Sequence, residues 1–206
     1  ELPKIARQII KKTILTSDFI FFETLEMIDF FKKEKINNIH WLPNSRKPIL
    51  KKLSPKNFKK RFVFISRVIP EKGINEIIKA AINLPKDYCI DIYGPIDDRH
   101  YKGDFLNDKK ATYKGLLHPE EVLSTLSSYD VLMLPSYFKG EGYPGIVIES
   151  LALGIPVITT NWKALPEIIT NDINGVLIDI KNEKQLKEAI LFFNESFLAN
   201  LSVIIY

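Results

Sequence analysis

Asp130-Val-Leu-Met-Leu-Pro-Ser-Tyr-Phe-Lys-Gly-Glu141-Gly-Tyr-Pro-Gly-Ile-Val-Ile-Glu149-Ser-Leu-Ala-Leu-Gly-Ile-Pro-Val-Ile-Thr-Thr160 decides how this chain folds. Residues 130–135 form a short apolar run, the pattern of a strand buried on both faces of a parallel sheet. Ser136 to Tyr143 is a glycine-bearing loop. Pro144 suits the first helical position and Gly154 the position just past a helix end, so a helix is expected over 144–153. Ile155 to Thr159 is then the next strand. Within the helix Glu149 is the single charged residue from Gly142 to Thr160. A carboxylate in an apolar helix needs a strong local partner or a ligand. Glu141, in the loop that feeds the helix, fits a ligand contact and equally a solvated loop acid.

This strand–loop–helix–strand unit places the loop at the carboxyl end of its first strand, where open α/β sheets bind ligands. The amides of Gly145, Ile146 and Val147 are expected to point out of the helix start and, with the helix dipole, to form an anion site. Glu149 lies four residues after Gly145, on the same face and one turn deeper.

The chain has 206 residues, 46% hydrophobic and 26% charged, with a formal charge of +4. That is enough for one good core with an appended piece. The mild positive charge suits an anionic ligand or membrane surface and is too weak to imply nucleic acid. Cys89 is the single cysteine, so no internal disulfide forms and a reducing cytoplasm is the natural setting. No apolar run approaches membrane-spanning length, and the start does not resemble a signal peptide. Residue 1 is not Met, and the chain reads as a fragment.

Working outward, residues 13–22 read as a strand, Glu23 to Lys35 as an amphipathic helix, and Ile39 to Leu42 as another strand. Residues 43–60 read as a connector; the basic residues Lys51-Lys52, Lys56 and Lys59-Lys60-Arg61, in it and at its end, read as solvated. Strands are then expected at 62–66, 88–93, 111–114 and 175–179. Helices are expected at 73–84, 119–127 and 182–193, the first with Ile74, Ile77, Ile78 and Ala81 at helical spacing. Strands alternating with helices give a parallel sheet covered on both faces, a Rossmann-like α/β fold.

At the first turn of that alternation, Arg67 follows the strand and Lys72 opens the helix. Two cations beside a helix N-terminus suit a diphosphate, with Arg able to bind bidentately; each alone also fits an exposed surface charge. Gly140-Glu-Gly-Tyr-Pro-Gly145 formally matches a dinucleotide-binding glycine pattern. The strand, however, ends well before Gly140, and no acid follows the next strand, so a nicotinamide site is rejected. His40, His100 and His118 show no ligand spacing with Cys89, so no tightly bound metal is expected. A glycosidase acid pair of Glu141 and Glu149 would leave Arg67 and Lys72 unexplained.

Four stretches together resemble the group 1 glycosyltransferases, also called family 4: retaining enzymes of the GT-B fold. They are Arg67 with Glu71-Lys72-Gly73; Tyr113-Lys-Gly115 with His118-Pro-Glu-Glu; Glu141 and Glu149 in their context; and Leu165-Pro-Glu167 with Asn174-Gly175. The resemblance covers residues 61–180. It implies two Rossmann-like domains with the active site in the cleft between them. Residues 61–206 are then the nucleotide-sugar-binding C-terminal domain, 43–60 the linker, and 1–42 the remnant of the acceptor-side N-terminal domain. It further implies that Arg67 and Lys72 neutralise the diphosphate and Glu149 holds the ribose. Glu141 contacts the donor sugar, the amides of Gly145, Ile146 and Val147 hold the distal phosphate and sugar, and the neighbourhood of His118 faces the base. Trp162-Lys-Ala-Leu departs from the family, which often has glycines there.

The implied function is sugar transfer from a UDP-sugar or GDP-sugar to a saccharide or lipid-linked acceptor, with retention, in surface polysaccharide or glycolipid assembly. The setting would be the cytoplasm or the inner face of the membrane. This fragment alone is expected to be inactive. Two alternatives stay open at this point: another GT-B enzyme such as a sugar-nucleotide epimerase, and an inactive nucleotide-sugar-binding module.

Overall fold

The computed structural model describes residues 3–46, 57–82, 84–101, 111–194 and 198. The chain divides into two compact units after Asn44. The smaller unit holds α1 (Lys4–Thr16), β1 (Ile20–Phe22), α2 (Leu25–Lys33) and β2 (Ile39–Trp41). β1 and β2 pair in parallel with α2 as their crossover. The Thr24 hydroxyl caps α2, accepting from the Met27 N–H at 3.3 Å. Glu26 in its first turn and Lys32 and Lys33 in its last complement the helix dipole.

The strand expected at 13–22 is corrected here, because only its last three residues are extended and residues 13–16 end α1. Threonine favours strands by its branched Cβ, but its hydroxyl can also bond back to the preceding helical turn. Thr13 Oγ1 donates to Ile9 O at 3.0 Å and Thr16 Oγ1 to Lys12 O at 2.9 Å.

The larger unit runs β3 (Arg61–Ile65), α3 (Ile74–Ala81), β4 (Cys89–Tyr93), β5 (Ala111–Gly115), α4 (Val122–Leu126), β6 (Val131–Leu134), α5 (Gly145–Ala152), β7 (Val157–Thr160), α6 (Leu165–Ile168), β8 (Gly175–Ile178) and α7 (Glu183–Phe192). Its six strands form one parallel sheet in the order β5-β4-β3-β6-β7-β8. The order reverses between β3 and β6. Right-handed crossovers stepping outward in opposite directions put α3 and α5 on opposite faces, the doubly wound Rossmann-like arrangement.

β6 and β7 are buried at every position, which is why their sequences run apolar without alternation. Phe62, Phe64, Ile90, Ile92, Leu132 and Leu134 form the centre of the core. Each such side chain contributes about 1.5–3 kcal/mol on burial. At the amino end of the sheet, buried Asp130 accepts from the Lys59 and Arg61 N–H groups, both at 2.9 Å, tying β3 to β6. Cys89 sits half-buried on β4. Burial foremost, then the Asp91 carboxylate, raises its pKa, so it is an inert thiol.

The short helix α6 was not expected from the sequence. The helix expected from Pro119 begins as a 3-10 turn (Pro119–Glu121) before α4. Residues 47–56 of the expected connector lie outside the described residues. So do residues 195–197 and 199–206. Among the described residues no helix is long and apolar enough to cross a membrane.

Candidate donor site

The reversal between β3 and β6 opens a crevice at their carboxyl ends, and both signature loops reach it. After β3 the chain passes Arg67 and makes a 3-10 turn, Pro70–Lys72, closed by Gly73 at φ 81°. A Cβ on Gly73 would run into the carbonyl and ring of Pro135, the first residue after β6. Glycine at 73 therefore serves two needs, a left-handed backbone and close passage of the second loop. That passage is pinned by the Tyr137 N–H, which donates to Glu71 O at 2.7 Å; Ser136 Oγ lies 3.2 Å from the same carbonyl.

The consequence is that Lys72 and Glu141 meet. The Lys72 Nζ lies 2.8 and 2.7 Å from the two Glu141 carboxylate oxygens, and Ser136 Oγ donates to Oε2. Only 7% of Lys72 and 9% of Glu141 is exposed, so this is a buried pair. Burying two charges roughly cancels their attraction, and an apolar pair of the same size would serve stability as well or better. The pair therefore suits a role in a site better than a role in the core.

Arg67 is exposed, and its guanidinium carbon lies 5.1 Å from the centre of the Phe138 ring. Lys72 Nζ lies 5.1 Å from the same ring. One aromatic ring thus neighbours both cations at the crevice. Among the described residues Arg67 has no carboxylate partner. The loop carrying Phe138 is fixed from the far side. Trp162 Nε1 donates to Phe138 O at 2.9 Å, and the Tyr143 hydroxyl donates to Glu167. These bonds give Trp162 and Glu167 structural jobs.

At the start of α5 the expectation of three outward amides needs one correction. The Val147 N–H turns back to Pro144 O at 3.0 Å, because the first turn tightens to 3-10 geometry. Pro144 is the N-cap and not the first helical residue. Among the described residues the Gly145 and Ile146 N–H groups have no acceptor. Glu149, one turn deeper, accepts from Arg46 Nε at 2.7 Å. His118 lies exposed just past the end of β5, and its N–H donates to Glu121 Oε2 at 3.0 Å. The neighbouring ends of β4 and β5 are tied by the Tyr113 hydroxyl, which donates to Gly94 O at 2.9 Å.

The structure therefore brings Arg67, Lys72 and Glu141 together around Phe138, and it places Glu149, Gly145 and Ile146 on one helix end. Sequence reasoning missed Arg46, Ser136 and Phe138. Ser136 and Phe138 lie inside the signature loop, where an aromatic beside two cations was a readable signal. Arg46 carried none, since it belongs to a stretch that reads as a connector.

The family model described as glycosyl transferases group 1 matches residues 45–196. A GDP-mannose-dependent alpha-mannosyltransferase of Corynebacterium glutamicum is 28% identical over 169 residues, covering 77% of this chain and 40% of the relative. The N,N'-diacetylbacillosaminyl-diphospho-undecaprenol alpha-1,3-N-acetylgalactosaminyltransferase of Campylobacter jejuni is 28% identical over 144 residues, 68% of this chain and 37% of the relative. The chain thus spans well under half the length of the curated relatives it matches. Among solved structures, S. aureus TarM in complex with UDP superposes with a TM-score of 0.77 at 21% identity, covering 96% of this chain and 41% of TarM. That likeness shows the fold, the Rossmann-like α/β architecture of GT-B glycosyltransferases. With its doubly wound sheet and a family match spanning its larger unit, the chain belongs to the group 1 glycosyltransferases.

Proposed function

We propose that this chain supplies the donor-binding half of a glycosyltransferase that moves a sugar, with retention, from a UDP-sugar or GDP-sugar to a saccharide or lipid-linked acceptor. The observation that carries this reading is the convergence of Arg67 and the Lys72–Glu141 pair on Phe138 at the switch point of the sheet. Family membership supports it, as do the relatives' names, which include a GDP-mannose-dependent enzyme and one acting on a diphospho-undecaprenol-linked sugar.

In this reading the Arg67 guanidinium meets the diphosphate. Lys72 adds charge while holding Glu141 toward the donor sugar, and the Gly145 and Ile146 amides meet the distal phosphate. As the bond to the sugar breaks, negative charge grows on the departing diphosphate. Cations and amides already in position stabilise that charge without reorganising. Glu149 takes ribose hydroxyls, and the residues near His118 face the base. Front-face transfer needs no protein nucleophile, and none is assigned. No resident metal is assigned either; side-chain cations meet the charge. The acceptor would be held by protein outside this chain, and the enzyme would work in the cytoplasm at the inner membrane face, building surface polysaccharide or glycolipid.

A melting-temperature panel of nucleotides and nucleotide sugars tests this reading. A ligand that binds only the folded state at a hundred times its Kd stabilises by about 2.7 kcal/mol. One nucleoside diphosphate series, uridine or guanosine, should raise the melting temperature while the other and free sugars do not. No shift with any of them would sink the reading.

A further inference from the structure

Glu149, the residue read above as the ribose holder, already has a protein partner from a part of the chain without a family motif. Arg46 Nε donates to Glu149 Oε1 at 2.7 Å, and Arg46 Nη1 donates to Ser45 O at 3.0 Å. The guanidinium lies across the first residue of α5. A Cβ placed on Gly145 would collide with Arg46 Nη2 and come within 3.1 Å of Cζ. We propose that Arg46 is a donor-site residue: it fixes the Glu149 carboxylate for the ribose and supplies positive charge beside the diphosphate. This rests on the donor-site reading given above.

Three physical points carry it. First, an ionised carboxylate offers about four acceptor positions, and the Arg46 Nε bond uses one of them on Oε1. Ribose hydroxyls can be accepted without Arg46 leaving. Second, a bare Glu149 carboxylate beside a diphosphate would repel it. A guanidinium on that carboxylate cancels the repulsion and brings a fixed positive charge to the helix start. Third, the pair adds little to folding. Its side chains are 39% and 20% exposed, and surface pairs of this kind contribute little because solvent screens them. Gly145 fits the same account, since any side chain there would push the guanidinium off Glu149.

The test is calorimetric titration of the full chain with UDP, uridine, GDP and guanosine. For whichever base binds, Arg46→Ala and Arg46→Gln should raise the Kd for the diphosphate about tenfold, equivalent to about 1.4 kcal/mol. The Kd for the nucleoside should change much less, which separates charge beside the diphosphate from simple loss of shape. Gly145→Ala should weaken diphosphate binding in the presence of Arg46 and add little on top of Arg46→Ala, as expected for residues that act together. Both Arg46 variants should melt without ligand as the parent does. Unchanged or tighter diphosphate binding in both Arg46 variants would overturn the proposal, tighter binding marking Arg46 as a competitor for Glu149. Collapse of the fold in both would overturn it too, by making Arg46 a folding residue. If the parent chain binds none of the four probes, the donor-site reading itself fails. If parent and variants bind equally, only the role of Arg46 fails.

Discussion

Lys72→Ala should destabilise the chain by about 3–5 kcal/mol, the cost of leaving one member of a buried ion pair uncompensated. For a chain of this size that lowers the melting temperature by on the order of 10 °C. The cause is Glu141, which sits 9% exposed with both carboxylate oxygens on the Lys72 ammonium. Ser136 would remain as its single hydrogen-bond donor among the described residues, and one hydroxyl cannot replace a cation. The double variant Lys72→Met/Glu141→Leu removes both charges at similar volume. It should recover most of the lost stability, because well-packed apolar residues often match or exceed a buried pair. In the double variant the Ser136 hydroxyl, released from Glu141, turns to the Glu71 carbonyl 3.2 Å away. Nucleotide affinity should not recover with stability. Urea denaturation and nucleotide titration on the same three proteins separate the two effects. Additive losses in the double variant would show that the two side chains are not coupled.

Gly73→Ala should cost more than about 3 kcal/mol, from two sources that add. An L residue at φ 81° is strained, by about 1–2 kcal/mol. Its Cβ would also meet the backbone carbonyl of Pro135, which cannot move without dragging the loop after β6. Gly115 is the internal control. It has φ 93°, and among the described residues nothing lies within 4 Å of its Cβ position. Gly115→Ala should therefore cost the backbone strain alone. Because Gly73 adjoins Lys72, its replacement should also loosen nucleotide binding, whereas Gly115→Ala should cost less binding. Equal stability losses in the two variants would show that the approach of Pro135 is not what requires glycine at 73.

The larger unit was legible because its physics is local. Buried parallel strands read as apolar runs without alternation, as at Val131–Leu134, and Gly154 at φ 63° ends α5 where glycine marks such an end. Glu149 stood out because charge is costly in an apolar helix, and Glu141 because it lies in the glycine-bearing loop that feeds that helix. What the sequence hid was pairing across space. Lys72 and Glu141 are 69 residues apart, and Arg46 and Glu149 are 103 apart. Periodicity says which face a side chain takes, but not which loop tip another loop will touch. Lys72 and the two glutamates were thus recognisable as site residues, but the pairing of Lys72 with Glu141 was not, and Arg46 went unread. The smaller unit misled for a different reason: Thr13 and Thr16 carry strand preference in their branching and helix tolerance in their hydroxyls.

The crevice between β3 and β6 should bind a nucleoside diphosphate through Arg67, the exposed cation over the Phe138 ring. Calorimetric titration of UDP and of GDP into the chain and into Arg67→Ala tests it most directly. Hydrogen bonds to charged groups contribute about 1.5–3 kcal/mol each, so the substitution should weaken binding by roughly tenfold to a hundredfold. Arg67 lies on the surface, and its loss should leave the fold intact. Binding of one nucleotide by the parent chain with that loss in Arg67→Ala is the predicted result. Equal affinity in the two proteins would contradict the account.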